Sequence, residues 1–309
     1  MSEHTQTHSR LSGRAGGFSL RELNQLSQYS YGVGRADSMT LLGRHNFNDD
    51  DLGAYWVLDS LYSPSNGFEG FIVATLTPEG EADYEHIAVV FAGTNIKDDA
   101  RNDLRATPGT FMIPWKNSFG QADQAEILVQ KAIYLAEEHG CPCPHIILSG
   151  HSLGAGLAIM KALEHNLTAQ VFCAVDPWRV LTPAERQRAR SLRSDCQIVD
   201  YRLTNDRLTG PLNHFLSGQD NRSARVVWCG TGTDPFCHWL GNFTFDTTGD
   251  IVRSQPPEQA GSFRHIRQAL ATFKQQAHHK VSALKGFAAN LADAQQSWLD
   301  KLSKNQSLG

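Results

Sequence analysis

Apolar residues recur along this chain in two alternating rhythms. Leu20, Leu23 and Leu26 follow Phe18 at helical spacing, until the glycine-rich break at Tyr31-Gly-Val-Gly34. Two β-rich runs come next, FEGFIVATLT over residues 68–77 and EHIAVVFA over 85–92. Thr77-Pro-Glu-Gly80, a turn sequence, separates them. Together they predict a hairpin that feeds a central strand. Gln124 to Glu138 has helical period, His145 to Ser149 is a short apolar strand, and Leu153 to Glu164 is an Ala/Leu-rich helix. Further on, Gln170 to Val175 reads as a strand, and Thr182-Pro-Ala-Glu185 opens a helix with a capping box. Ile198 to Leu203 and Ala224 to Cys229 read as two more strands. Strand and helix in this order predict an α/β fold, a mostly parallel sheet with helices on both faces.

The ends of the chain differ from this middle. Residues 1–17 are rich in Ser, Thr, His and Gly and are expected to be disordered. From Ser262, Phe263, Ile266, Leu270, Phe273 and Ala277 form an apolar stripe, continued by Leu284, Phe287, Leu291, Trp298 and Leu302. That stripe predicts an amphipathic helical tail over 262–309. It either packs back onto the domain or docks on a membrane or partner protein. One α/β domain over 18–261 lies between, with no internal repeat and no linker long enough to split it.

Composition narrows the function classes. With 40% hydrophobic and 19% charged residues the chain can bury a sizeable core, which excludes a disordered protein. A net charge of −4 offers no concentrated basic face, so no nucleic-acid partner is expected. No run of about 18 apolar residues occurs, so no spanning helix is expected. The polar start MSEHTQTHSRLSGRAGG lacks the apolar core of a secretory signal; the expected location is cytoplasmic, or outside the cell by a route without a Sec leader. The six cysteines are too sparse for a disulfide scaffold, and Cys141-Pro-Cys143 has one residue fewer than a Cys-x-x-Cys motif and no second pair. The thirteen histidines contain no His-Glu-x-x-His. Neither a metal nor an organic cofactor is expected.

The chemistry concentrates at Gly150-His-Ser-Leu-Gly154, set between an apolar strand and an Ala-rich helix. A nucleophilic serine must project from a tight strand-to-helix turn, and its flanking glycines let neighbouring backbone pass close by. Ser152 is therefore the candidate nucleophile. A serine needs an imidazole to take its proton and a carboxylate to orient that imidazole, in the chain order Ser, acid, His. Asp206, just past the strand IVDYRL, is the candidate acid; Asp176, after the preceding strand, is the alternative, and Asp200 lies within a strand. His238 follows Asp206 on a loop leaving the strand ARVVWC and is the candidate base, with His265 and His214 as alternatives. His151, inside the elbow, is expected to point away from the serine.

Several of these blocks resemble the class 3 lipases. Val89-Val-Phe-Ala-Gly-Thr94, with Lys97-Asp-Asp99 and Asn102-Asp103 after it, is similar to that family's strand ending in Phe-Arg-Gly-Thr/Ser ahead of an acidic stretch. Ser149-Gly-His-Ser-Leu-Gly-Ala155 matches its nucleophile elbow, and Thr204-Asn-Asp206 resembles its acid loop. Phe236-Cys-His238, with Asn242-Phe and Phe245-Asp246 behind it, looks like the histidine segment of the bacterial phospholipase A-like branch. The resemblance covers residues 68 to 250 and departs at Ala92, where the family carries arginine. It implies an α/β-hydrolase-type fold and an oxyanion hole formed by Thr94 and the backbone of Leu153. It also implies a serine carboxylic-ester hydrolase of the lipase or phospholipase A-like kind, acting on acyl lipids. The alternative is a hydrolase-fold protein of weak or no activity that binds a lipid or protein partner. Phe111-Met-Ile-Pro-Trp115 is expected to be a lid or lipid-facing edge, or else a core anchor. Peripheral membrane contact would come through that loop or the tail. Arg186, Arg188, Arg190 and Arg193 either attract anionic head groups or form a solvated basic face.

Overall fold

The computed structural model describes residues 16–33, 43–46, 54–64, 66–93, 119–141, 145–178, 180–195, 197–204, 206, 222–230 and 238–255. The chain divides into two units, Met1–Glu258 and Gln259–Gly309, and every described residue belongs to the first. Residues 1–15, the loop Phe111 to Trp115 and the tail 262–309 lie outside the described residues.

Among the described residues eight strands form one sheet in chain order: β1 (Gly43–Asn46), β2 (Ala54–Ser63), β3 (Phe68–Leu76), β4 (Ala82–Phe91), β5 (His145–Gly150), β6 (Thr168–Phe172), β7 (Ile198–Leu203) and β8 (Arg225–Cys229). The first four pair antiparallel, and β4 through β8 pair in parallel. The expected hairpin is β3–β4, and β4 is the strand on which the parallel half is built. Among the described residues four α-helices accompany the sheet: α1 (Leu20–Tyr29), α2 (Phe119–Glu138), α3 (Leu153–His165) and α4 (Pro183–Ser194). This is the mostly parallel α/β sheet with helices on both faces expected from the sequence.

Period-two alternation divides the sheet's side chains between two cores. Ile72, Ala74, Ile87, Val89 and Phe91 face α2, α3 and α4 and pack with Leu128, Val129, Leu157, Ile159 and Leu192. Phe71, Val73, Ala88, Val90 and Ile147 face the other way and pack with Phe18, Leu23 and Leu26 of α1 and its lead-in. When parallel strands are added in chain order, right-handed crossovers place the connecting helices on one face. The second face is covered from outside the crossover series, by α1. Full burial of Leu23 and Leu26 contributes about 1.5–3 kcal/mol each. A hydrogen bond of 3.2 Å between the Ser27 and Ser149 hydroxyls ties α1 to β5.

Two strands are additional to those expected: β1, and β2, which breaks its alternation at a register shift between Val57 and Asp59. β6 ends at Phe172 rather than Val175, because Cys173 takes φ 49° and turns the chain out of the sheet. α2 starts at Phe119, ahead of the periodic apolar stretch that reveals it. The α4 arginines are also engaged by the fold itself. Arg186 and Arg190 lie over the Trp178 ring at 5.7 and 5.2 Å, Arg188 bonds the Leu163 carbonyl, and Arg193 bonds that of Arg222.

Candidate active site

β5 runs directly into α3, and the junction is Ser152 at φ 57°, ψ −117°. A left-handed φ at a non-glycine residue is strained and persists only where its surroundings hold it. Here the Ser152 N–H donates to the Phe172 carbonyl at 3.1 Å. The Ser152 carbonyl accepts from Val175 at 3.0 Å and from Gly156 at 3.3 Å. Packing around the turn explains its glycines. A Cβ on Gly154 would fall on the Phe91 and Ala92 carbonyls, and one on Gly93 would lie 3.0 Å from Cβ of Ser152. The end of β4 thus passes against the elbow, which places Ala92 and Gly93 beside it. Thr94 itself lies outside the described residues.

Ser152 occupies the N-cap position of α3, but its hydroxyl makes no capping bond to the helix. The oxygen is instead 3.0 Å from Nε2 of His238. Leu153 is the first residue of α3, where backbone N–H groups have no intrahelical acceptor and the helix dipole favours negative charge. The expected second oxyanion donor therefore belongs to a helix-terminal residue next to the serine.

The acid comes from the end of β7. The Asp206 N–H bonds the Leu203 carbonyl at 3.0 Å, folding the chain back so that the carboxylate, in a residue only 5% exposed, meets Nδ1 of His238 at 3.1 Å. One imidazole therefore bridges serine and aspartate through its two ring nitrogens. The sequence-predicted Ser152, Asp206 and His238 converge, although they lie on three separate connections of the sheet. His214 and His265 lie outside the described residues.

The alternative acid has another occupation. Asp176 accepts from the Trp178 N–H at 2.9 Å, from the Ser223 N–H at 3.1 Å and from the Ser223 hydroxyl at 2.7 Å. It holds the lead-in to β8. Asp200, fully buried, accepts from the Ala174 N–H at 3.0 Å and pairs with Arg202; burial nevertheless pushes its carboxyl up to about 6.

His151 braces the histidine loop from beside the elbow. Its ring turns toward the histidine loop and bonds the backbone carbonyl of His238 at 2.7 Å, while its other nitrogen meets the Tyr31 hydroxyl at 2.6 Å. Burial, with His238 nearby, lowers its pKa to about 3, so the ring is neutral. The sequence flagged Tyr31 only as part of a glycine-rich break.

Three groups of side chains could hold a metal ion among the described residues. In one, Cys173 joins Asp206 and His238, but burial raises the thiol well above its ordinary value and disfavours the thiolate a metal needs. In another, the Lys161 ammonium already sits between Glu126 and Glu164 at 2.9 and 2.6 Å. The third, Asp83, Glu85 and His86, has His86 paired with Asp83 at 2.8 Å. Among the described residues no helix is long and apolar enough to cross a membrane.

No protein-family model and no curated protein sequence matches the chain. Among solved structures, the chain is similar to a Rhizomucor miehei lipase in its propeptide complex, at 15% identity and TM-score 0.43, over 68% of this chain and 67% of that one. A lipase from Rhizopus microsporus var. chinensis gives 15% identity and TM-score 0.41, over 70% and 74% of the two chains. A triacylglycerol lipase from Penicillium expansum gives 16% and 0.40, over 71% and 80%. Likeness of this degree leaves the functional reading to the chain's own residues.

Proposed function

We propose that this protein is a serine carboxylic-ester hydrolase of the lipase or phospholipase A-like kind, acting on acyl lipids. One observation carries the reading: a single imidazole stands 3.0 Å from the Ser152 hydroxyl and 3.1 Å from the Asp206 carboxylate. In the cycle this supports, His238 Nε2 takes the serine proton as Oγ attacks the ester carbonyl. Asp206 holds the Nδ1–H tautomer and stabilises the imidazolium. The developing oxyanion is met by the Leu153 N–H, with Thr94 as the second donor implied by the resemblance; one such donor is worth about 2.7–4 kcal/mol. His238 then protonates the leaving alcohol. Water, deprotonated by the same ring, cleaves the acyl-enzyme and returns Ser152.

The acyl-lipid class rests on the lipase-like pattern of residues and on Trp239. That ring follows the base directly and is 57% exposed, an aromatic surface that an acyl chain would cover. The test is labelling of the purified full chain with a fluorophosphonate, followed by a panel of phospholipids, glycerides and small esters. Labelling at Ser152 with release of fatty acid from a lipid supports the proposal. Labelling with turnover of small esters alone removes the lipid part. No labelling returns the chain to the class of hydrolase-fold binding proteins.

A further inference from the structure

We infer that Tyr31 and His151 form a positioning relay that fixes the backbone of the general base, so that the N-terminal helix sets the geometry of the Ser152–His238 pair. The inference rests on the hydrolytic reading above and extends it to two residues that touch no substrate.

The hydrogen-bond directions follow from the partners. The His238 carbonyl can only accept, so His151 Nε2 must carry the proton of the 2.7 Å bond. The ring is neutral, so Nδ1 is a lone pair and the Tyr31 hydroxyl donates to it at 2.6 Å. The Tyr31 oxygen in turn accepts from the Gly93 N–H. A continuous chain results: Gly93 N–H to Tyr31 Oη, Tyr31 O–H to His151 Nδ1, His151 Nε2–H to the carbonyl of His238. It joins the end of β4, the elbow and the histidine loop, the three backbone segments whose mutual placement the reaction needs.

The relay has a fixed polarity. Without the tyrosine hydroxyl, His151 can take the other tautomer and present a lone pair to the His238 carbonyl, turning attraction into repulsion. The space is also closed against substitutes, because a Cβ on Gly93 would lie 2.5 Å from the Tyr31 oxygen and 2.7 Å from the His151 carbonyl. A second tie runs parallel to the first. Asn24, buried on α1, donates its amide to the Leu240 carbonyl at 3.3 Å, and Arg21 donates its backbone N–H to Gly249 at 3.1 Å. The helix on the open face of the sheet therefore holds the segment carrying the base at several points, and Tyr31 lies on the 3₁₀ turn that continues α1.

The test uses the full-length protein and three variants: His151→Leu, which removes the donor; His151→Gln, whose amide can restore it; and Tyr31→Phe, which deletes one hydroxyl. Fluorophosphonate labelling rate, kcat and KM on a soluble p-nitrophenyl ester, and thermal melting are read together. In His151→Leu, kcat and labelling should fall about ten- to a hundredfold with KM unchanged, the scale expected when a reacting group is misplaced by a fraction of an ångström to one ångström. Tyr31→Phe should show a smaller loss of the same kind, and His151→Gln should recover most of the kcat lost in His151→Leu. Wild-type kcat in His151→Leu overturns the relay, as does a glutamine variant no faster than the leucine one. If His151→Leu does not fold, Tyr31→Phe decides: kcat and labelling at the wild-type level overturn the relay, and a selective loss of both supports it. A wild-type chain that neither labels nor turns over overturns the hydrolytic reading and the relay with it, whereas labelling and turnover at the wild-type rate in every variant overturn the relay alone.

Discussion

Two aspartates sit just beyond neighbouring parallel strands, and the fold uses them in opposite ways. Asp176, past β6, directs its oxygens at the Trp178 and Ser223 amides and the Ser223 hydroxyl. Beside it Asp200 and Arg202 pair inside the sheet, both essentially without solvent contact. That region is closed: its named hydrogen bonds end on backbone or on buried side chains. Asp206, past β7, is just as buried but turns one oxygen to an imidazole whose far nitrogen reaches the serine. A carboxylate that meets backbone amides fixes architecture; one that meets a titratable ring can support proton transfer. Position at a strand's carboxyl end is common to both and does not separate them.

The sharpest way to break this comparison is at its reactive end. Ser152→Ala should lower kcat by about 10⁶, the scale seen when a triad nucleophile is lost. Melting should barely change, because the residue's backbone bonds, not its hydroxyl, hold the elbow. Turnover near the wild-type rate would end the proposed mechanism.

Asp206→Asn comes next, with an expected loss of about 10⁴ in kcat on the same ester. The amide can donate to Nδ1 of His238 and select the tautomer that turns an N–H toward Ser152. A stopped-flow measurement of acylation should show the deficit in that step.

In the closed region the readout changes from rate to stability. Arg202→Met leaves Asp200 buried without its partner and should cost about 3–5 kcal/mol in urea unfolding near neutral pH. Burial raises Asp200 from 3.8 to about 6, so the folded chain binds a proton that the unfolded chain has released between those values. Its contribution is therefore fully present below about pH 4 and is lost as pH rises through about 6. The deficit of Arg202→Met should accordingly be smaller at pH 5 than at pH 8. A deficit that grows toward acid would show that Asp200 is not the group left stranded.

How much of this was legible follows from where each signal lies. Ser152 is announced locally, because the turn that exposes it requires small residues on both sides and an apolar strand before it. Asp206 and Asp176 look alike in sequence, since what distinguishes them is Ser223 and His238, both distant along the chain. β2 was hidden by its own bulge: Asp59 interrupts the alternation, and its side chain bonds the Ser60 N–H. Tyr31 and His151 carried no periodic or spacing signal at all, because their relation exists only once α1 crosses the sheet. The parallel half of the fold was readable from alternation, whereas the antiparallel edge and the brace on the open face depend on contacts between remote segments.

The smallest expected effect is at Asp176, and it tests the comparison most directly. Asp176→Asn keeps the size of the side chain and one acceptor oxygen. It also points N–H groups at the Ser223 amide or hydroxyl, where the carboxylate had accepted two bonds. At least one buried donor then faces another donor, a penalty of about 1–3 kcal/mol. The strain falls on the entry to β8, which carries the chain toward His238, so melting should drop while kcat stays within a few-fold of wild type. The decisive measurement pairs urea unfolding with kcat on one preparation. A folded Asp176→Asn variant that loses a hundredfold in kcat would place Asp176 in the proton relay and dissolve the distinction between the two carboxylates. Lower stability with turnover retained would mean that the acid is chosen by what its oxygens meet, and that Asp206 alone meets the base.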